Sequence, residues 1–298
     1  MPTACRTTRD PAFALLLAGL FLACSGSPAS GPDPDDDDPP VGEVLVGAGD
    51  IAACDSDGDE ATAALLDEID GTVFTSGDNA YPDGTREDFQ NCYEQSWGRH
   101  LSRTRPAPGN HDYNTPDAVP YYEYFGARAG PPGRGYYSYR LGSWQVLSLN
   151  SNVPAGRQSD QMVWLQAELS THTGSCTLAY WHHPLFSSGD NGSDDHMKSV
   201  WEVLDTAGVD LIVTGHDHNY ERFAPQDAEG NATALGIRQI VVGSGGEGLR
   251  PFKAVVRNSL VRNATDFGVL KLTLTTEAYA WEFITPGGVK DSGSDRCA

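Results

Sequence analysis

The apolar run Thr72-Val73-Phe74 stops at Ser76-Gly77-Asp78-Asn79-Ala80-Tyr81-Pro82. Such a run reads as a buried strand, and Gly-Asp as the turn that ends it. Asp78 and Tyr81, three residues apart on that turn, can point into one cavity. A carboxylate has two oxygens, so Asp78 can bridge two metal ions, and a phenolate at Tyr81 is a hard donor suited to a trivalent one. Taken alone, the stretch reads equally well as a turn Asp capping a helix and a Tyr packed on a core. Recurrence of the pattern is what constrains the fold.

The folded part is expected to open with the strand Glu43-Val44-Leu45-Val46-Gly47-Ala48, ending in Gly49-Asp50. Ala61, Ala64, Leu65, Leu66 and Ile69 follow at helical spacing, which makes the opening strand–helix–strand and implies a parallel pair under a covering helix. A second helix is expected over 86–98, then a third strand and the turn Pro108-Gly109-Asn110-His111-Asp112. After an aromatic-rich loop, Tyr121 to Tyr139, residues 135–141 and 144–150 read as a hairpin. An amphipathic helix over 161–169 precedes a strand over 177–181 that ends in His182-His183-Pro184. A helix over 196–206 precedes the strand 209–214, which ends in Gly215-His216-Asp217-His218-Asn219-Tyr220. Strands at 239–242, 268–274 and 277–284 complete one catalytic domain over 43–290, with 291–298 as a tail.

Five expected strands thus deliver Asp50, Asp78 with Tyr81, Asn110 with His111, His182, and His216 with His218. Ligands of open α/β sheets collect beyond the carboxyl ends of strands. Oxygen and imidazole donors without thiolate suit iron, zinc or manganese. The set divides into Asp50, Asp78, Tyr81 and His218 around one ion, and Asp78, Asn110, His182 and His216 around the other. Two ions about 3.5–4 Å apart can polarise a phosphoryl group and activate a water.

A net charge of −21 argues against holding a nucleic-acid backbone by electrostatics. It also means that an anionic substrate needs local positive charge, most simply from metal. Arg6 and Arg9 precede an apolar run, Phe13 to Cys24, too short to span a bilayer and typical of a secretory signal over 1–23. Phe21-Leu22-Ala23-Cys24 resembles a bacterial lipobox, which makes Cys24 a candidate lipidated N-terminus; plain secretion is the alternative. Residues 24–42 are rich in Ser, Gly, Pro and Asp and read as an extended tether. Cys54, Cys92, Cys176 and Cys297 suggest two disulfides in an exported protein. The preferred pairing is Cys54–Cys92 with Cys176–Cys297, since the first two flank the Asp78 turn.

From about 43 to 285 the chain resembles the calcineurin-like metallophosphoesterases, most closely their purple acid phosphatase branch without its extra N-terminal β-domain. The superfamily opens with Asp-x-His, whereas this chain reads Asp50-Ile51-Ala52. Purple acid phosphatases lose the same His and use a Tyr three residues after the bridging Asp, as in Asp78–Tyr81. Gly109-Asn110-His111, His182-x-Pro184 and Gly215-His216-x-His218-x-Tyr220 follow in order. The resemblance implies a four-layer α/β/β/α sandwich of two mixed sheets, with a dinuclear site at the strand ends. It implies Fe(III) on Asp50, Asp78, Tyr81 and His218, and a divalent Fe, Zn or Mn on Asp78, Asn110, His182 and His216. It implies hydrolysis of small phosphate monoesters by a coloured enzyme. His111 would hold the substrate oxygen or protonate the leaving group, Asp112 would orient His111, and His196 would contact phosphate.

His183 competes with His182 for the ligand position, and the family spacing of one residue before Pro favours His182. His100 and His172 match no motif and read as ordinary satisfied histidines. Asp217 reads as structural, and Gly243-Ser244-Gly245-Gly246, lacking a Lys, as a close backbone approach rather than a phosphate loop. The Tyr121–Tyr139 aromatics read as packing before a substrate rim. A phosphodiesterase on the same centre, and a non-catalytic surface protein on the same fold, are the competing functions.

Overall fold

The computed structural model describes residues 42–171 and 176–297. The expected signal segment, Cys24, the tether up to residue 41 and His172 lie outside the described residues. Among the described residues, no helix is long and apolar enough to cross a membrane.

Two sheets face each other. The first has the order β13-β12-β11-β1-β2-β3. Its parallel half is β1 (Glu43–Ala48), β2 (Thr72–Ser76) and β3 (Thr104–Ala107). Its antiparallel half is β11 (Val269–Leu274), β12 (Ala278–Thr285) and β13 (Gly288–Arg296). The second sheet has the order β10-β8-β9-β7-β6-β5-β4. Here β5 (Trp144–Ser148), β6 (Thr177–Tyr180), β7 (Leu211–Thr214) and β9 (Arg238–Val242) run parallel. Antiparallel strands β4 (Tyr137–Leu141), β8 (Tyr220–Phe223) and β10 (Ser259–Asn263) complete it.

The parallel strands are short, almost fully buried runs because both of their faces are covered. Leu45, Phe74 and Leu272 meet Tyr180, Val213 and Ile240 between the sheets. Phe74 and Tyr180 lie 5.5 Å apart across that interface, and Tyr220 stacks on Phe283 at 4.1 Å. On the outer face of the second sheet, Met162 and Leu165 of α4 (Asp160–Thr171) and Trp201 and Leu204 of α5 (Lys198–Thr206) cover Leu147, Ala179 and Ile212. Helix α1 (Gly58–Asp67) buries Thr62, Ala63 and Leu66 on the first sheet's side. The architecture is the four-layer α/β/β/α sandwich of two mixed sheets.

Several local expectations are corrected. The helix expected over 86–98 is instead one turn, α2 (Arg86–Asp88), a wide turn at Phe89–Tyr93 and a 3-10 segment at Trp97–Arg103. Phe89, Cys92, Tyr93 and Trp97 are all buried, the one-face spacing that suggests a helix, but the backbone leaves helical geometry at Ser96, with φ of −112° and ψ of −88°, and Cys92 is bonded to Cys54. The aromatic loop contains a helix, α3 (Val119–Phe125). Residues 291–296 are no tail: they belong to β13, paired with β12 from Ala278↔Arg296 to Thr285↔Gly288. Gly-Val-Lys-Asp-Ser-Gly-Ser-Asp-Arg lacks apolar alternation because this is an exposed edge strand, held by backbone pairing and polar side chains. Asp291 accepts from Tyr220 Oη at 2.7 Å and Arg222 Nε at 2.6 Å, and Asp295 accepts from Arg238 Nη2 at 2.6 Å. Disulfides join Cys54 to Cys92 and Cys176 to Cys297.

Candidate metal centre

The strand-end turns are packed edge to edge. Asp50 N donates to Gly77 O at 3.0 Å, and Gly215 N to His182 O at 3.0 Å. Asp50, Asp78 and His216 adopt left-handed backbone, with φ of 59°, 52° and 70°. Each costs roughly 1–2 kcal/mol in a residue with a Cβ, and each follows a glycine in the sequence. Left-handed residues of this kind cluster where the surrounding structure must aim a functional side chain. At Gly109 a Cβ would lie 2.1 Å from Asp78 Oδ1, so only glycine lets the Asn110 turn approach the Asp78 turn.

Side chains from the five turns converge. Tyr81 Oη lies 3.0 Å from Asp50 Oδ1, 3.1 Å from Asp78 Oδ2 and 3.3 Å from His218 Nε2. On the other side of Asp78, His182 Nε2 lies 3.1 Å from Asp78 Oδ2, 3.0 Å from Asn110 Oδ1 and 3.2 Å from His216 Nδ1. Asp78 Oδ2 is the atom the two groups share. Its Oδ1 accepts the His111 amide at 2.7 Å, and Asp50 Oδ2 accepts the His216 amide at 2.7 Å, so both carboxylates are locked.

The protonation pattern tests whether a cation fits. His182 Nδ1 faces the Ser76 carbonyl at 2.9 Å and His218 Nδ1 faces the Gly248 carbonyl at 2.9 Å. Each Nδ1 must donate, which leaves each neutral Nε2 a bare lone pair aimed inward. With His182 neutral, its Nε2, Asn110 Oδ1 and Asp78 Oδ2 are then three acceptors confronting one another, with His216 Nδ1 beside them. Such a cluster is repulsive unless positive charge sits in it, and a metal ion meets that need.

Titration shifts report the same demand. Burial lowers the affinity of His182 for a proton, but Asp78 and Asp50 outweigh it and raise the imidazole to about 9. Burial, with the charge of His182, takes His216 down to about 4. Burial would raise Asp78, yet His182 and His111 hold its carboxyl below the ordinary range. Tyr81 is pushed far above a normal phenol by burial and then by Asp50 and Asp78, so only a strong Lewis acid would take its proton.

His111 is half-buried, its ring 4.4 Å from that of Tyr81 and its Nδ1 directed at the Pro82 carbonyl. Asp112 does not orient it. The Asp112 carboxylate is fully buried and accepts from Gly109 N at 2.8 Å and from Asn79 Nδ2 at 2.9 Å. It ties the Asp78 turn to the Asn110 turn, a tertiary role that adjacency in sequence cannot reveal. Burial, then Asp78, pushes its carboxyl up to about 7, a repulsion that a cation beside Asp78 would relieve. His196 is exposed, with Nε2 directed at the Val153 carbonyl at 2.9 Å, and stands outside the convergent set. His100 lies under α1, its Nε2 3.3 Å from the Ala63 carbonyl. Asp217 is buried and accepts Asn191 N at 2.8 Å, fastening the loop that carries Ser187 and Asn191 to the His216 turn. At Gly243 a Cβ would lie 2.2 Å from Asp217 O, the close approach expected there. Tyr121 and Tyr137 both donate to the Pro106 carbonyl, so these aromatics brace the end of β3.

Beside Tyr81 and His111 opens a cavity of about 470 Å³ walled by the Cys54–Cys92 disulfide, Glu247 and Arg250. Arg250 carries no motif, and only the fold brings it to this rim.

The family model described as calcineurin-like phosphoesterase matches residues 45–220. Purple acid phosphatase 18 of Arabidopsis thaliana is 28% identical over 243 residues, covering 74% of this chain and 55% of the relative. Purple acid phosphatase 21 of the same plant is 32% identical over 215 residues, covering 63% and 48%. The solved structure of purple acid phosphatase PPD1 from yellow lupin (Lupinus luteus) seeds superposes with a TM-score of 0.68 at 21% identity, over 85% of this chain and 53% of that one. The chain spans about half the length of the curated relatives it matches. Residues 45–220 take in every turn of the convergent cluster, from Asp50 to His218, and the chain belongs to the calcineurin-like phosphoesterases.

Proposed function

We propose that this protein hydrolyses phosphate monoesters at a dinuclear metal centre of the purple acid phosphatase kind. The observation that carries the reading is the convergence of inward-facing acceptors on Asp78 Oδ2, shared by a Tyr81 group and a His182 group. Asp50, Asp78, Tyr81 and His218 would hold a ferric ion, and Asp78, Asn110, His182 and His216 a divalent Fe, Zn or Mn. Bound there, the two ions would supply Lewis acidity for water activation and for neutralising charge on phosphorus. The buried Tyr81 phenol, hard to deprotonate by itself, supports the trivalent assignment.

The chain's own contribution lies around that centre. Tyr81 packs against His111 and sets its ring at the mouth. With Nδ1–H given to the Pro82 carbonyl, His111 presents Nε2 to the substrate, and in the imidazolium form Nε2–H would hold an oxygen or pass a proton to the leaving group. Asp112 keeps the Asp78 and Asn110 turns in register beneath it. His196, exposed beside Val153, is proposed as an outer phosphate contact. The two disulfides support export, with residues 1–23 as the signal and Cys24 as a lipid anchor.

The test is the initial rate on a nitrophenyl phosphate monoester and on the matching diester, with Asn110→Ala as the blank. A monoester preference with a dead blank is expected. Diester preference would move the protein to phosphodiesterases, and inactivity on both with metals bound would mark a non-catalytic protein on this fold. Tyr81→Phe is expected to bleach the visible absorption of the iron-loaded protein, since the phenolate is its source. Undiminished colour in Tyr81→Phe would remove Tyr81 from the ferric set.

A further inference from the structure

His183 belongs to neither ligand group, yet its ring centroid lies 4.9 Å from that of His182 and 4.5 Å from that of His216. One nitrogen from each of these three rings falls within 4.8 Å of the other two. The neighbour that decides what His183 can do is Ser151. The His183 amide donates to Ser151 Oγ at 3.1 Å, and His183 Nδ1 lies 2.7 Å from the same oxygen. A serine hydroxyl has one hydrogen to give. With the amide already donating to that oxygen, the hydroxyl hydrogen goes to Nδ1, its one acceptor among the described contacts. The ring proton is thereby placed on Nε2.

This arrangement is rigid. Ser151 is buried, and Trp181 Nε1 donates to the His183 carbonyl at 2.8 Å. Among the described residues Nε2 meets no hydrogen-bond partner, and the side chain is only half-buried. In this tautomer His183 offers no lone pair to a metal: Nδ1 is used by Ser151, and Nε2 carries hydrogen. What it offers is a fixed N–H beside the His182–His216 pair, whereas the His111 ring packs on Tyr81.

We propose that His183 Nε2–H donates to an oxygen of the phosphoryl group at the His182–His216 side, a second catalytic histidine beside His111. The assignment rests on the phosphoester reading above. The two histidines then hold the group at two points, His111 from beside Tyr81 toward the leaving oxygen and His183 from beside His182 and His216 toward an oxygen that stays on phosphorus. Ser151 is a positioning residue that acts through the tautomer.

The experiment is calorimetric titration of inorganic phosphate into metal-loaded wild type, His183→Ala, His183→Gln, His183→Asn and Ser151→Ala, with metal content measured on each. His183→Ala is expected to bind phosphate about ten- to a hundredfold more weakly, the worth of a hydrogen bond to a charged group, with both ions retained. A Gln amide nitrogen reaches the place of Nε2 and an Asn amide nitrogen that of Nδ1. His183→Gln should therefore recover most of the affinity and His183→Asn should not, a contrast that a merely structural role would not produce. Ser151→Ala should fall between wild type and His183→Ala. Unchanged phosphate affinity in His183→Ala, equal affinities in the Gln and Asn variants, or loss of an ion from His183→Ala would each overturn the proposal. Wild type that hydrolyses esters while His183→Ala binds phosphate normally would sink this inference alone. Wild type that holds two ions but neither binds phosphate nor cleaves esters would sink the phosphoester reading with it.

Discussion

Asp78→Asn is expected to lose both metal ions together and to lower turnover by a factor on the order of 10³ or more, the scale of several kcal/mol of lost Lewis-acid stabilisation. The geometry decides which oxygen is sacrificed. Asp78 Oδ1 accepts the His111 amide at 2.7 Å, and an Asn would keep its carbonyl oxygen there, because an amide nitrogen facing that N–H would be repelled. Its NH₂ would then replace Oδ2, the atom between Tyr81 and His182. An NH₂ has no lone pair for a cation and brings two hydrogens into a cluster that needs positive charge from outside. The fold should tolerate the exchange, since volume and the His111 hydrogen bond are kept. Metal counting by mass spectrometry beside the monoester assay checks both halves. Two ions per chain with normal turnover would dissolve the shared-bridge assignment. Loss of one ion alone would make Asp78 terminal rather than bridging.

That Asp78 is central was legible before any coordinates, and the reason is physical. Four of the five site turns set a glycine before a residue type that carries chemistry, Gly49-Asp50, Gly77-Asp78, Gly109-Asn110 and Gly215-His216, while His182 follows Trp181. A glycine ahead of these four residues is the trace of a backbone that must turn sharply or pass close to a neighbour, as the 2.1 Å approach at Gly109 makes plain. The parallel strands feeding these turns are buried on both faces and so announce themselves as apolar runs. Strands β10 and β13 have partly exposed faces and polar sequences, and β8 buries Glu221 between its aromatics, so their pairing is written in neighbours rather than in themselves. Partnerships of buried polar groups were likewise beyond reach. Asp112 stands next to His111 in the chain, yet its oxygens go to Asn79 and Gly109. Ser151 fixes a histidine 32 residues away. Spacing along the chain identifies donors; which donor meets which acceptor is settled only by the fold.

Deleting residues 291–298 is expected to destabilise the protein by about 4 kcal/mol or more, although their sequence looks like a dispensable tail. The Cys176–Cys297 link closes a loop of 121 residues. In the chain-entropy account a loop of roughly that length is worth about 4–5 kcal/mol through restriction of the unfolded chain. The deletion also removes Asp291 and Asp295, which pair with Arg222 and Arg238. Those guanidinium groups, at 4.9 and 4.8 Å from the Trp281 ring, would be left partly buried without counter-charges. A true tail would change stability by no more than about 0.5 kcal/mol. Urea unfolding at fixed metal concentration separates the two, because bound metal itself adds to stability. The paired exchange Cys176→Ser with Cys297→Ser isolates the disulfide, and the gap between it and the deletion measures the Asp–Arg clamp. Turnover per folded molecule should survive both, since β13 lies at the sheet edge with β12 and β11 between it and β1. A deletion that unfolds at the wild-type urea concentration would return residues 291–298 to the status of a tail.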